Sequence, residues 1–190
     1  MTSRTHDAIA FTSLTTIAAL NPPESINLMT LVGGFVAADV GSLLPDMDQA
    51  GNDLWDILPA GEFLGKVFRR IFYKHRTLTH SFLGVFLIYT FFSWLLFKIF
   101  DPSFLDPGIL LTSLMIGYVS HLLADCFTKE GLPLLFPFKW SFGIPPFERL
   151  RIKTGGKLEK YVLYPGIWLF LFWFIYLHQE NLRRLFALVK

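Results

Sequence analysis

The stretch FLGVFLIYTFFSWLLFKIF, residues 82–100, decides the fold class. Lys98 is its single charge, and about 20 apolar residues in a helix cross the roughly 30 Å of bilayer hydrocarbon. Two further runs read the same way, Ile109–Ala124 and Tyr161–Leu177. A fourth, Leu28–Leu44, is interrupted by Asp39 but otherwise apolar. A fifth, Ala8–Leu20, is shorter, rich in Ala and Thr, and stopped by Asn21-Pro22-Pro23. It pairs with Leu28–Leu44 as a helical hairpin turned at the two prolines. A signal peptide is the weaker reading of it, because Asp7 opens the apolar stretch and only Arg4 precedes it.

Composition agrees. Apolar residues make up 53% of the 190, Phe alone fills 21 positions, and charged residues reach 17%, against roughly 25% in a soluble domain. A chain of this length cannot bury so much apolar surface in one water-soluble core. The same figures exclude disorder, and the lone Cys126 excludes a disulfide scaffold. The expectation is an all-α, polytopic membrane helical bundle forming one domain over residues 1–190, with four to five membrane segments and an interfacial amphipathic helix. That helix is read in Glu62–His75. Phe63, Leu64, Val67, Phe68, Ile71 and Phe72 form one helical stripe there, while Lys66, Arg69, Arg70 and Lys74 occupy the other faces. Leu182, Leu185, Phe186 and Val189 repeat the idea more weakly near the other end of the chain.

Alternating crossings put residues 1–7, 45–81 and 125–160 on one side and 21–27, 101–107 and the tail on the other. The first side holds 13 of the 17 Lys and Arg residues, leaving Lys98, Arg183, Arg184 and Lys190 for the second. The positive-inside bias makes the first side cytoplasmic, so a multi-pass protein of the inner or plasma membrane is expected.

The chemistry-bearing residues follow the same parity. His6 precedes the first segment, and Asp46 and Asp48 end the second, just after Pro45. His75 and His80 precede the third in the block HRTLTHS, residues 75–81. His121 and Asp125 end the fourth, and Glu159 opens the fifth. Every one falls on the basic side. His121 and Asp125 are spaced i, i+4 and share a helix face. Asp46 and Asp48, if extended, point the same way. Thr77 or Thr79 as an N-cap lets His75 and His80 face one centre. Asp39, seven residues before Asp46, is expected on nearly the same face as a supporting or proton-relay group, and Gly33, Ala37 and Gly41 form a small-residue packing face. Thr128 and Thr154 read as loop hydrogen-bonders, and His178 as an interfacial residue of the far side. Imidazole with carboxylate and no thiolate suits Zn, Mn or Fe. Seven or eight donors exceed one tetrahedral shell and fit two ions that activate water and clamp phosphoryl oxygens.

The blocks Leu44-Pro45-Asp46-Met47-Asp48, HRTLTHS at 75–81, and GYVSHLLAD at 117–125 with Thr128 and Gly131 resemble the YdjM-like family of membrane-bound metal-dependent hydrolases. So do the trailing stretch 131–137 and Thr154-Gly155-Gly156 running to Glu159. The resemblance covers His6 to about Glu159. It implies a small helical inner-membrane protein whose ligands are His6, Asp46, Asp48, His75, His80, His121 and Asp125, with Glu159 as a further candidate. One departure is Gln49, where the family often carries His.

The expected function is metal-activated water attacking an ester, most naturally a phosphoester or lipid-linked substrate, at the cytoplasmic face. Arg76, with Arg151 or Lys153, would hold the substrate anion. Asp48 as a bridging carboxylate, or Glu159, would serve as general base. The alternative is a metal-binding transporter or sensor without hydrolytic activity, although transporter sites lie nearer the midplane on interrupted helices. The bilayer is the expected partner, and a nucleic acid is not expected.

Overall fold

A computed structural model describes residues 1–47, 77–138 and 140–189. The amphipathic stretch Glu62–His75, and with it Asp48, Gln49, His75 and Arg76, lies outside the described residues. The described chain is helical, with no strand beyond isolated bridges. Six α-helices follow in order: α1 Ser3–Leu20, α2 Leu28–Leu43, α3 Phe82–Ile99, α4 Pro107–Cys126, α5 Tyr164–Leu177 and α6 Gln179–Ala187. A 3₁₀ turn, Leu44–Asp46, continues α2; another, Leu78–His80, precedes α3; a π turn, Glu159–Leu163, leads into α5.

Four of these segments are long and apolar enough to cross a membrane: Leu28–Asp46, Phe82–Ile99, Pro107–Cys126 and Glu159–Leu177. α1 runs back to Ser3 and so takes in Arg4, His6 and Asp7, ahead of the apolar stretch that marks it in the sequence. Local chemistry sets the boundaries. The Asn27 side chain accepts from Thr30 N at 2.7 Å and starts α2. Asp106 accepts from Gly108 N and Ile109 N at 2.8 and 3.0 Å, with Pro107 in the first turn, and starts α4. α3 is capped by Ser81, whose hydroxyl accepts from Gly84 N at 3.1 Å, and not by Thr77 or Thr79. Ser81 is the first residue after the 3₁₀ turn whose backbone is extended, as an N-cap requires.

α4 is the central helix. It packs against α1, α2 and α3, and 67% of its span is buried, against 6% for α3. α3 turns Phe82, Phe86, Phe91, Trp94 and Phe97 outward. So wide an apolar face is tolerable where the surrounding solvent is lipid.

The closest helix pair is α2 with α4. A Cβ on Gly41 would stand 2.0 Å from the Leu114 carbonyl oxygen, and one on Gly117 would stand 2.0 Å from that of Ala38. The two backbones therefore touch, each through the other's glycine. The small-residue face is Gly34, Ala38 and Gly41, all buried, one position off the Gly33, Ala37, Gly41 series, because Gly33 faces the side chains of Leu105 and Leu110. The same helix phase leaves Asp39 exposed. The Ser42 hydroxyl, which donates to the Asp39 carbonyl, donates to the side chain of Asp7 as well, at 2.9 Å. Asp39 is thus not on the face that carries Asp46, since the 3₁₀ turn breaks the α-helical register between them.

Candidate metal centre

The C-terminal ends of α2 and α4 and the N-terminal ends of α1, α3 and α5 meet at one end of the bundle, as alternating crossings require. His6 comes from the second turn of α1, Asp46 from the turn after α2, and His80 from the turn before α3. His121 and Asp125 come from the last two turns of α4. His6, His80, His121 and Asp125 are each no more than 1% exposed. Asp46 sits in a 3₁₀ turn with Pro45 in its second position, not in an extended strand. The proline ends the α-helix by removing a donor and tightens the chain so that Asp46 turns inward.

Two triads share His121: His6, Asp46 and His121, and His80, His121 and Asp125. Within each, one ligand atom per residue lies within 4.8 Å of the others. His80 Nε2 is 3.4 Å from Asp46 Oδ1 and 3.8 Å from Asp125 Oδ2. His121 Nε2 is 3.7 Å from Asp46 Oδ1 and 3.8 Å from Asp125 Oδ2. His6 Nε2 is 3.3 Å from Asp125 Oδ1. The Met1 amino group also lies against Asp125 Oδ1.

These separations are long for hydrogen bonds. They lie at or a few tenths of an ångström above the edges of a coordination shell, since donors held about 2.0–2.2 Å from a tetrahedral ion stand roughly 3.3–3.6 Å apart. Asp46 Oδ1, His121 Nε2 and both His6 ring nitrogens make no hydrogen bond among the described residues, although all are buried. Buried polar atoms left in this condition are costly. A cation at their centre would remove the cost, so the donor set fits one or two divalent ions.

Groups around the cluster orient its members. His121 Nδ1 lies 2.6 Å from the Ser42 carbonyl, one of the carbonyls that the end of α2 leaves without an intrahelical donor. That hydrogen bond puts the proton on Nδ1 and turns the Nε2 lone pair inward, as a metal-ligating histidine requires. The rings of His6 and His121 stack at 3.6 Å with 6° between their planes, a contact that suits neutral imidazoles. Tyr118, fully buried one turn before His121, donates its hydroxyl to the Thr79 carbonyl and so holds the turn that carries His80.

Tyr118 and the Ser42 carbonyl are the members that sequence reasoning misses. A backbone carbonyl leaves no sequence signal. Tyr118 left one: a tyrosine inside an apolar span needs a partner for its hydroxyl, and it lies i−3 from a histidine.

Glu159 is buried at the start of the π turn but is not one of these donors. Its carboxylate accepts from Thr2 N, Thr2 Oγ1, Thr5 Oγ1 and Gly155 N at 2.7–2.8 Å. It fastens the first turn of α1, one residue before His6, to the loop that precedes α5.

Arg151 is likewise occupied. Its guanidinium donates to the carbonyls of Pro145, Gly143 and Pro146 at 2.8–3.2 Å, so it builds the 127–158 loop instead of facing an anion. Lys153 is exposed. Thr128 donates to the Asp125 carbonyl and Thr154 to Glu130, the loop roles expected of them. His178, at the far end, stacks on Phe174 at 4.2 Å.

The spans, and the buried His and Asp cluster gathered at one end of them, define the class: a small helical membrane protein with a donor set of metal-ligand type. The chain belongs to the YdjM inner membrane protein family, whose model matches residues 1–182. It is 37% identical over 121 residues to the inner membrane protein YdjM of Escherichia coli (strain K12), covering 63% of this chain and 56% of that protein. The same figures hold for YdjM of Shigella flexneri. It is 32% identical over 163 residues to the uncharacterized protein YvsG of Bacillus subtilis (strain 168), covering 86% of this chain and 88% of that one. The match thus spans a little over half the length of the two enterobacterial relatives. No solved structure matches the chain.

Proposed function

We propose that this protein is a metal-dependent hydrolase of the inner membrane, acting on a phosphoester or lipid-linked ester at the cytoplasmic face. The observation that carries the reading is the convergence of His6, Asp46, His80, His121 and Asp125, with ligand atoms 3.3–3.8 Å apart in a buried cluster. A bound divalent ion of the Zn, Mn or Fe type would lower the pKa of a coordinated water and polarise the scissile ester. The chain's own groups do the rest. The Ser42 carbonyl holds His121 in the ligating tautomer, Tyr118 holds the His80 turn, and Glu159 holds the start of α1. From the sequence pattern, Asp48 is assigned as bridging carboxylate and general base, His75 as a further ligand, and Arg76 as the cation that receives the substrate anion. Glu159, with four donors on its carboxylate, is better suited to positioning than to base catalysis.

The test is metal analysis of the purified protein, followed by a screen of soluble and lipid phosphoesters. Bound metal, with hydrolysis that a chelator stops and added metal restores, is the expected result. Bound metal without turnover on any ester would favour a transporter or sensor, and absence of metal would end the reading.

Sidedness is tested separately. In a Cys126→Ser background, Ser103→Cys is expected to react with an impermeant thiol reagent added outside the cell and Lys153→Cys is not. The reverse pattern would put the cluster on the outer face.

A further inference from the structure

At the end of the bundle away from the histidines, α1, α2 and α4 line a half-open cavity of about 470 Å³, with Leu182 and Leu185 of α6 among its walls. Small residues line it: Ala18 on α1, Gly34 on α2, Gly108 and Ser113 on α4. Toward the histidine cluster, Phe11 and Phe35, with ring centroids 5.1 Å apart, form part of its wall. α2 and α4 are membrane spans, so the cavity lies at bilayer depth. A smaller polar pocket of about 180 Å³ adjoins it, sharing Ile26, Thr30 and Ile109 and adding Asn27 and Asp106.

One polar atom in the apolar cavity is unaccounted for. Threonine hydroxyls inside helices normally donate to a carbonyl one turn back, as Thr112 does to Gly108 at 2.8 Å on the opposite wall. Thr15 does not. Its side chain is 8% exposed, lines the cavity, and its Oγ1 has no hydrogen-bond partner among the described residues.

Water answers this poorly, since a buried water needs about three polar partners and the walls are almost wholly apolar. An empty space of this size forfeits packing along its walls. A hydrocarbon chain alone would fill the volume and leave the hydroxyl orphaned. We propose that the cavity is a binding site for one acyl chain of a membrane lipid. The chain lies along α1, α2 and α4, its ester carbonyl accepts from the Thr15 hydroxyl, and the glycerol region sits in the polar pocket beside Thr30 and Asn27. This site is separate from the His and Asp cluster and does not depend on what that cluster does.

The test uses the full chain in phosphatidylethanolamine–phosphatidylglycerol vesicles doped with a phospholipid carrying a diazirine in one acyl chain. After irradiation and digestion, adducts are expected to concentrate on Leu14–Ala18, Leu31–Phe35 and Ile109–Ile116, above the level on the outward face of α3. Ala18→Phe, which fills the cavity, should remove that excess and leave the α3 adducts unchanged. Adducts spread evenly over all lipid-facing helices, or an excess indifferent to Ala18→Phe, would overturn the proposal. Thr15→Val keeps the volume and removes the donor, and so serves if Ala18→Phe fails to fold. Wild type should capture the ester-linked probe about fivefold better than its ether-linked analogue, the scale of one hydrogen bond, and Thr15→Val should abolish the difference. Equal capture of ester and ether by wild type would refute the carbonyl contact.

Discussion

Replacing Asp125 by Ala is expected to strip the purified protein of bound metal and, with it, of hydrolysis. Asp125 is fully buried and stands within 3.8 Å of ring nitrogens on His6, His80 and His121. It belongs to the triad of His80 and His121 and also reaches His6 of the other. Loss of a supporting group around a metal typically lowers affinity by about 10–100-fold, so loss of a candidate ligand itself should exceed that. Asp125→Asn, which keeps shape and removes charge, should fall nearly as far. His121→Ala combined with Asp125→Ala should cost little more than either alone, because ligands of one centre act as a unit. Metal content measured beside helical content by circular dichroism separates this outcome from failure to fold. A folded Asp125→Ala protein with full metal would remove Asp125 from the centre.

The second large effect is expected at Gly117. A Cβ there would stand 2.0 Å from the Ala38 carbonyl oxygen, 2.9 Å from its carbon and 3.0 Å from Ser42 N. All three are backbone atoms, so no side chain can swing away and the helices must part. Ordinary overpacking costs about 1–3 kcal/mol, and Gly117→Ala should reach or exceed the top of that range. It should also weaken the cluster at a distance, because the Ser42 carbonyl that orients His121 moves with α2. Gly166, with nothing within 4 Å of its notional Cβ, is the control. Gly166→Ala should be neutral or should stabilise by up to about 1 kcal/mol through helix propensity. Thermal unfolding in detergent reads both, and equal stability of the two variants would contradict the α2–α4 contact.

Much of the architecture was legible because lipid imposes a simple demand: an unbroken apolar run long enough to cross. Phe82–Phe100 ends as a helix over Phe82–Ile99, and Tyr161–Leu177 lies within the span Glu159–Leu177. Crossing parity then placed His6, Asp46, His80, His121 and Asp125 together with no knowledge of packing. Hydropathy is blind to rotation about a helix axis, however, and there the reading slipped. It took Gly33 and Ala37 in place of Gly34 and Ala38 for the contact face of α2, with Gly41 common to both, and it expected a supporting role of Asp39, which is exposed. Capping chemistry was harder still. Thr77, Thr79 and Ser81 are all fit N-caps, and only the 3₁₀ turn, closed by the Ser81 N–H on the Leu78 carbonyl, selects Ser81. Glu159 was legible as a buried acid at the right end, but its hydrogen-bond partners are Thr2, Thr5 and Gly155, and nothing in local sequence couples residues so far apart.

That last coupling has a consequence for biogenesis. The carboxylate that secures the first turn of α1 is synthesised 154 residues after Thr5. Helices that enter the membrane early must therefore wait with His6 unanchored until the segment beginning at Glu159 is inserted. The anchoring of His6 beside Asp125 thus depends on the segment made after all the other cluster residues, and a metal held there by all five would be acquired late.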